Sequence, residues 1–225
     1  MINIRNYGVI EIAGIEIWIT ETIVNTWIIM AILIAVAVLV RIKLRKFQTI
    51  PTGFQNVTEA AVEIFDNFVV SSIGKKHANY APWFFMVFVL ILSSSLFSIF
   101  GLRAPTADWA TTFALALASF CIMIYAGVKN RKAAYIKSLF EPIFIFFPMN
   151  LIGELAKPVA LSFRLYGNVL SGTIILTLYY ALTPIFVQFG VPAVLHAFFD
   201  VIFGFIQTYI FVILSLMYVK MAADD

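Results

Sequence analysis

Long apolar runs separated by short polar or basic breaks dominate the chain. A membrane-crossing helix needs about 20 mostly apolar residues. The first such run covers about Ile23–Val40 and stops at Arg41, Lys43, Arg45 and Lys46. The stretch Thr52–Ile73 is different: Glu59, Glu63, Asp66 and Asn67 are spread among Val57, Ala60, Ala61, Ile64, Phe65 and Phe68. That spacing predicts an amphipathic helix, lying on the membrane surface or against a partner. Second and third spans follow at about Pro82–Phe100 and Trp109–Val128, joined by the short loop Gly101–Asp108. Phe140–Phe147 is apolar, too short to span, and bracketed by Pro142 and Pro148. A re-entrant or interfacial hairpin fits it, because irregular backbone survives at depth only against protein. The last two segments, about Asn150–Thr183 and Val191–Met221, flank a turn marked by Pro184, Gly190 and Pro192. Both exceed the length of an upright crossing, which predicts tilt.

The chain therefore reads as all-α, a single polytopic membrane domain over 1–225 with about five spans. Its expected divisions are an external N-terminal segment at 1–22, a first span at 23–46 and an amphipathic surface helix at 52–73. The second and third spans lie within 82–128, a hairpin at 138–149, and two long tilted helices at 150–222. No inverted repeat of the kind built into many secondary transporters is visible.

Composition sharpens this picture. The 225 residues are 62% hydrophobic and only 12% charged, about half the charge of a soluble domain. A water-soluble enzyme and a disordered chain are both excluded. The net charge of +3 reflects basic loops, not nucleic-acid binding. Arg41, Lys43, Arg45, Lys46, Lys75, Lys76, Lys129, Arg131, Lys132 and Lys137 fall on one side, against Arg5 and Arg103 on the other. The positive-inside bias puts the N-terminus outside and the C-terminus in the cytoplasm. Cys121 stands alone, and His77 and His196 are far apart, so no disulfide framework, cofactor or resident metal is expected.

Charges within spans are costly and mark function by default. Two remain once the loops are set aside: Arg164 and Asp200. Snorkelling of the arginine, or an intramembrane Arg–Asp pair acting as structural glue, is the plain alternative. Arg164 is followed at helical spacing by Gly167, Asn168, Ser171 and Gly172. A small, polar face lets another helix come close, although packing within the chain would use it equally well. On the last helix His196, Asp200, Gly204 and Gln207 fall on one side, and a cation path needs such a polar track. His196 alone also fits an interfacial histidine near the helix start. Glu154 and Lys157 fit a pair or snorkelling groups near the interface. Asp108 suits a helix N-cap before Trp109 or the mouth of a channel.

The run Lys157-Pro-Val-Ala-Leu-Ser-Phe-Arg164-Leu-Tyr-Gly167-Asn168 resembles the signature of subunit a of F-type ATP synthases. So do Pro105-Thr-Ala-Asp108 opening a span, and Gln207-Thr-Tyr-Ile-Phe leading to Leu216-Met-Tyr-Val and an acidic tail. The resemblance covers nearly the whole chain. It implies an ion-translocating stator subunit in a bacterial cell membrane, carrying H⁺ or Na⁺ for ATP synthesis without catalysing a reaction itself. Its partners would be a rotating c-ring, peripheral-stalk subunit b and membrane lipid. Two half-channels would reach the ring carboxylate, with Arg164 separating them. Asn168 and Gln207 match the family's asparagine and glutamine, and Asp108 matches the aspartate of the outer half-channel. Many proton-translocating members carry a glutamate nine residues after the arginine, where this chain has Thr173. The facing position, often histidine or glutamate, is Asp200. Ser171 and Thr173, with His196, Glu154 and Lys157, complete the candidates for the ion path; hydroxyls and amides there suit Na⁺ as well as water. A stand-alone secondary transporter or ion channel is the competing reading, and a scaffold without an ion path the third.

Overall fold

The computed structural model describes residues 6–12, 15–44, 53–138, 144–184 and 190–224, with single positions 51 and 140. Five helical stretches are long and apolar enough to cross a membrane: Glu21–Leu44, Lys75–Phe100, Trp109–Arg131, Phe147–Leu182 and Val194–Asp224. The fold is that of an all-α polytopic membrane protein.

Two short strands precede the helices. β1 (Asn6–Ile12) pairs antiparallel with β2 (Ile15–Thr20), setting Val9 opposite Trp18 and Glu11 opposite Glu16. This hairpin lies within the segment expected to be external at 1–22, for which the sequence reading assigned no element. Its signal is the alternation of Ile and Val with other residues on both sides of Ala13-Gly14, a two-residue connection of hairpin length.

α1 (Glu21–Leu44) starts with an acidic first turn and ends with Arg41 and Lys43 in its last, charges that complement the helix dipole at both ends. α2 (Phe54–Ile73) is amphipathic; it buries Phe65, Val69 and Ile73 and ends at Gly74, whose φ is 84°. A 3₁₀ turn, Lys75–Tyr80, leads into α3 (Ala81–Phe97). Between α3 and the next span the chain makes two further 3₁₀ turns, Ser98–Phe100 and Pro105–Ala107. Gly101 reverses it between them with a left-handed φ of 73°. α4 (Trp109–Arg131) and α5 (Ala133–Ser138) follow. Of the hairpin expected at 138–149, positions 139 and 141–143 lie outside the described residues; Phe144–Phe146 form a 3₁₀ turn and 147–149 already belong to the next long helix. The Phe140 and Phe147 rings stack at 4.5 Å, and the chain is helical again from Phe147.

α6 (Phe147–Leu182) runs 36 residues through Pro158, which cannot donate to the Glu154 carbonyl and so removes one rung of the helix. α7 (Val191–His196), a π-helical segment (Ala197–Phe203) and α8 (Gly204–Asp224) form the last stretch. The sequence pattern reads as one regular helix there; the wide π turn, with Asp200 inside it, is the difference. The core lies where α8 meets α2, α3 and α4, and it buries Phe84, Ile91, Met123, Phe211 and Leu216. At the start of α8 the approach to α3 is close: a Cβ on Gly204 would lie 2.7 Å from Ser95 Cβ.

Candidate functional site

Arg164 lies on the surface of α6. Among the described residues its guanidinium has no ion pair and no hydrogen bond. Its neighbour Leu165 points the other way, is 1% exposed, and lines a cavity of about 520 Å³. Glu21, Ser98 and Arg103 line that cavity from the loop side; Asn168, Asp200 and Gln207 line it from the long helices. The arginine thus sits back to back with a polar void.

Several predicted site residues meet in this cavity. His196 Nδ1 and Asp200 Oδ2 are 2.8 Å apart, and both line it together with Thr173. Gln207 is 7% exposed, and its Nε2 is buried without a partner. A buried donor left unmade costs about 1–3 kcal/mol, so this amide is an unsatisfied polar group in the wall of the cavity. The hydroxyls behave differently. Ser171 Oγ donates to the Asn168 carbonyl at 2.9 Å, and Thr173 Oγ1 to Val169 at 2.9 Å. Their protons are spent on their own helix, leaving oxygen lone pairs outward.

The small face of α6 divides in two. Gly172 is buried, and a Cβ there would touch Phe199 at 3.7 Å, so it packs within the chain. Gly167 has open space around it, and Ser171 is exposed. The open pair is on the arginine's side.

Toward the start of α6 lies a second polar group. Lys157 Nζ donates to Glu154 Oε1 at 2.5 Å and sits 5.5 Å from the centre of the Tyr218 ring. Glu154 Oε2 and Ser215 Oγ nearby on α6 and α8 are buried without partners. Lys157 is about two turns of helix from Arg164, on the side away from Asn168.

Asp108 is not among the cavity-lining residues. It holds the N-cap position of α4, but its side chain makes no cap bond. Thr22 Oγ1 donates a short hydrogen bond to Oδ2, and Arg103 reaches Oδ1 at 3.3 Å. Asn25 Nδ2 donates to the Arg103 carbonyl at 2.8 Å, and the Thr20 and Thr22 hydroxyls are 2.7 Å apart. Thr22 and Asn25 are 1% and 4% exposed. Sequence reasoning missed them, along with Glu21 and Arg103. Two polar residues spaced by three at the head of an otherwise apolar helix were the available signal.

Fold and site together define a class: a multi-pass helical membrane protein with a polar cavity beside an unpaired arginine. Comparison with known proteins narrows it. The family model described as ATP synthase A chain matches residues 23–220. The chain is 34% identical over 221 residues to ATP synthase subunit a of Moorella thermoacetica, covering 97% of each. It is 31% identical over 224 residues to a protein of Propionigenium modestum described as ATP synthase subunit a, sodium ion specific, covering 92% of this chain and 75% of that one. Subunit a 2 of Picosynechococcus sp. is 34% identical over 207 residues, covering 91% and 86%. The chain belongs to the ATP synthase A chain family. It is a component of an ATP synthase, in that complex's ion-translocating stator role.

Proposed function

We propose that this chain passes H⁺ or Na⁺ through two half-channels to and from the carboxylates of a c-ring, with Arg164 separating the two. The stator is non-catalytic, spans a bacterial cell membrane with its N-terminus outside and its C-terminus cytoplasmic, and is held by peripheral-stalk subunit b. The observation that supports this most is the state of Arg164: a permanent charge on the surface, with no ion pair among the described residues. An arginine so placed needs an anion from elsewhere. The cavity lined by Asn168, Asp200 and Gln207 suits the outer half-channel, with Asp108 held behind its wall by Arg103. Glu154 and Lys157 lie on the other side of the arginine, where the inner half-channel belongs.

The charges supply the mechanism. A ring carboxylate moving into low dielectric stays neutral by carrying a proton or a cation. Beside Arg164 the ionised form is favoured, by about 1–3 pKa units for an opposite charge at close range, and the ion is released. The same fixed positive charge blocks a cation from leaking straight across. Arginine keeps that charge in the membrane where lysine would lose it. Each ion brings about 2.3 kcal/mol per 100 mV, so several must be gathered per ATP, which a rotating ring achieves. A transporter acting alone gives no use to an unpaired arginine on its surface.

The test is Arg164→Ala in the assembled complex reconstituted in vesicles. Ion-driven ATP synthesis falls to background while the complex keeps its subunits. Full coupled synthesis by this variant would sink the mechanism.

A further inference from the structure

The cavity has an outer carboxylate, and it is not Asp108. We infer that Glu21 is the ion-attracting group at the mouth of the cavity, and that Asp108 acts on the path only indirectly, by neutralising Arg103. The inference rests on the reading of this cavity as the outer half-channel.

Three observations carry it. Glu21 lines the cavity, is half-buried, and has no ion pair or hydrogen bond among the described residues. It stands in the first turn of α1, at the positive end of the helix dipole. Asp108, by contrast, has both carboxylate oxygens engaged, one by Thr22 and one by Arg103, and does not reach the cavity wall. Third, Gln207 Nε2 is buried, unpartnered and on the same cavity. Gln207 thus adds an unsatisfied donor to the lining that Glu21 shares.

Charge arithmetic at the mouth follows from these contacts. Arg103 also lines the cavity, and alone it would repel a cation. Asp108 cancels it, and Glu21 leaves the mouth negative by one charge. A negative mouth with low-dielectric walls raises the local cation concentration and the rate of capture.

The two carboxylates are separable by experiment. Passive ion flux through the head-stripped complex in vesicles is measured under an imposed potential, with choline chloride setting the ionic strength. Glu21→Gln slows flux about fivefold at low salt, and the gap closes to within about twofold at 1 M, where the screening length is about 3 Å. Asp108→Asn slows it too, because Arg103 is then unbalanced. The double variant Arg103→Gln with Asp108→Asn removes both charges, leaves Glu21 to act, and restores flux. Adding Glu21→Gln to that double variant slows it again. If the double variant remains as slow as Asp108→Asn with normal complex content, Asp108 itself carries the ion and the inference is overturned. A salt-independent defect in Glu21→Gln overturns it equally, since that marks a structural loss. Asp200→Asn runs alongside as a control. If it leaves flux unchanged, the cavity is not the path and both readings fall. If it slows flux while Glu21→Gln does not, only this inference falls.

Discussion

Two arginines of this chain, one at the rim of the cavity and one on the surface of α6, are treated in opposite ways. Arg103 is enclosed: Asp108 pairs with its guanidinium, Asn25 holds its carbonyl, and Thr22 braces the aspartate from α1. Arg164 is left open on α6, beside Gly167 and Ser171, with no ion pair among the described residues. The sequence treats both as single basic residues among apolar neighbours. The difference lies in what the fold brings to each. Around Arg103 three helices and a loop converge, so its charge is balanced before any partner arrives. Around Arg164 the fold brings small residues and empty space. An unpaired charge facing hydrocarbon is costly, which is the ground for proposing that another subunit completes the site at Arg164.

The largest effect is expected from a change that keeps the charge of Arg164 but not its chemistry. Arg164→Lys should lose most coupled synthesis, because lysine sheds its proton readily in low dielectric and lacks the planar fork. If the lysine variant synthesises ATP at the normal rate in vesicles, charge alone suffices and the contrast loses its meaning.

Next comes the cavity behind the open arginine. Asp200→Asn should slow passive ion flux more than His196→Ala. Asp200 sits within the π turn and is the carboxylate of the pair, while His196 precedes it by one turn. Equal defects in the two variants would make the pair a unit with no leading member.

The smallest effect belongs to the enclosed arginine. Thr22→Val removes a buried donor from the Asp108 carboxylate, a loss of about 1.5–3 kcal/mol for a hydrogen bond to a charged group. It should lower the thermal midpoint of the detergent-solubilised complex while leaving the coupling ratio intact. A wild-type midpoint with lost coupling would place Thr22 on the ion path instead.

The spans were legible because they rest on one strong signal, long apolar runs with basic stops. Arg164, Asp200 and Gln207 stood out for the same reason, as polar groups where hydrocarbon is the rule. What escaped was whatever depended on a partner far along the chain. Thr22 and Asp108 are 86 residues apart, and nothing local in either announces the other. The π turn around Asp200 was hidden as well, since its residues fit a regular helix equally well by pattern; Gly204 pressed on Ser95 is visible only once α3 and α8 are side by side. Gly172 and Gly167 look alike in sequence, yet one packs against Phe199 and the other faces open space.

The central claim is that Arg164 meets an anion supplied by another subunit. An experimental structure of the assembled complex tests it directly, through the distance from the Arg164 guanidinium to the nearest carboxylate. The prediction is a ring carboxylate within about 4–6 Å, the range over which an opposite charge shifts a carboxyl group. Gly167 and Ser171 should lie against the same helix, and no carboxylate of this chain should be as close. A guanidinium turned to lipid, or paired with Asp200 of its own chain, would contradict the account.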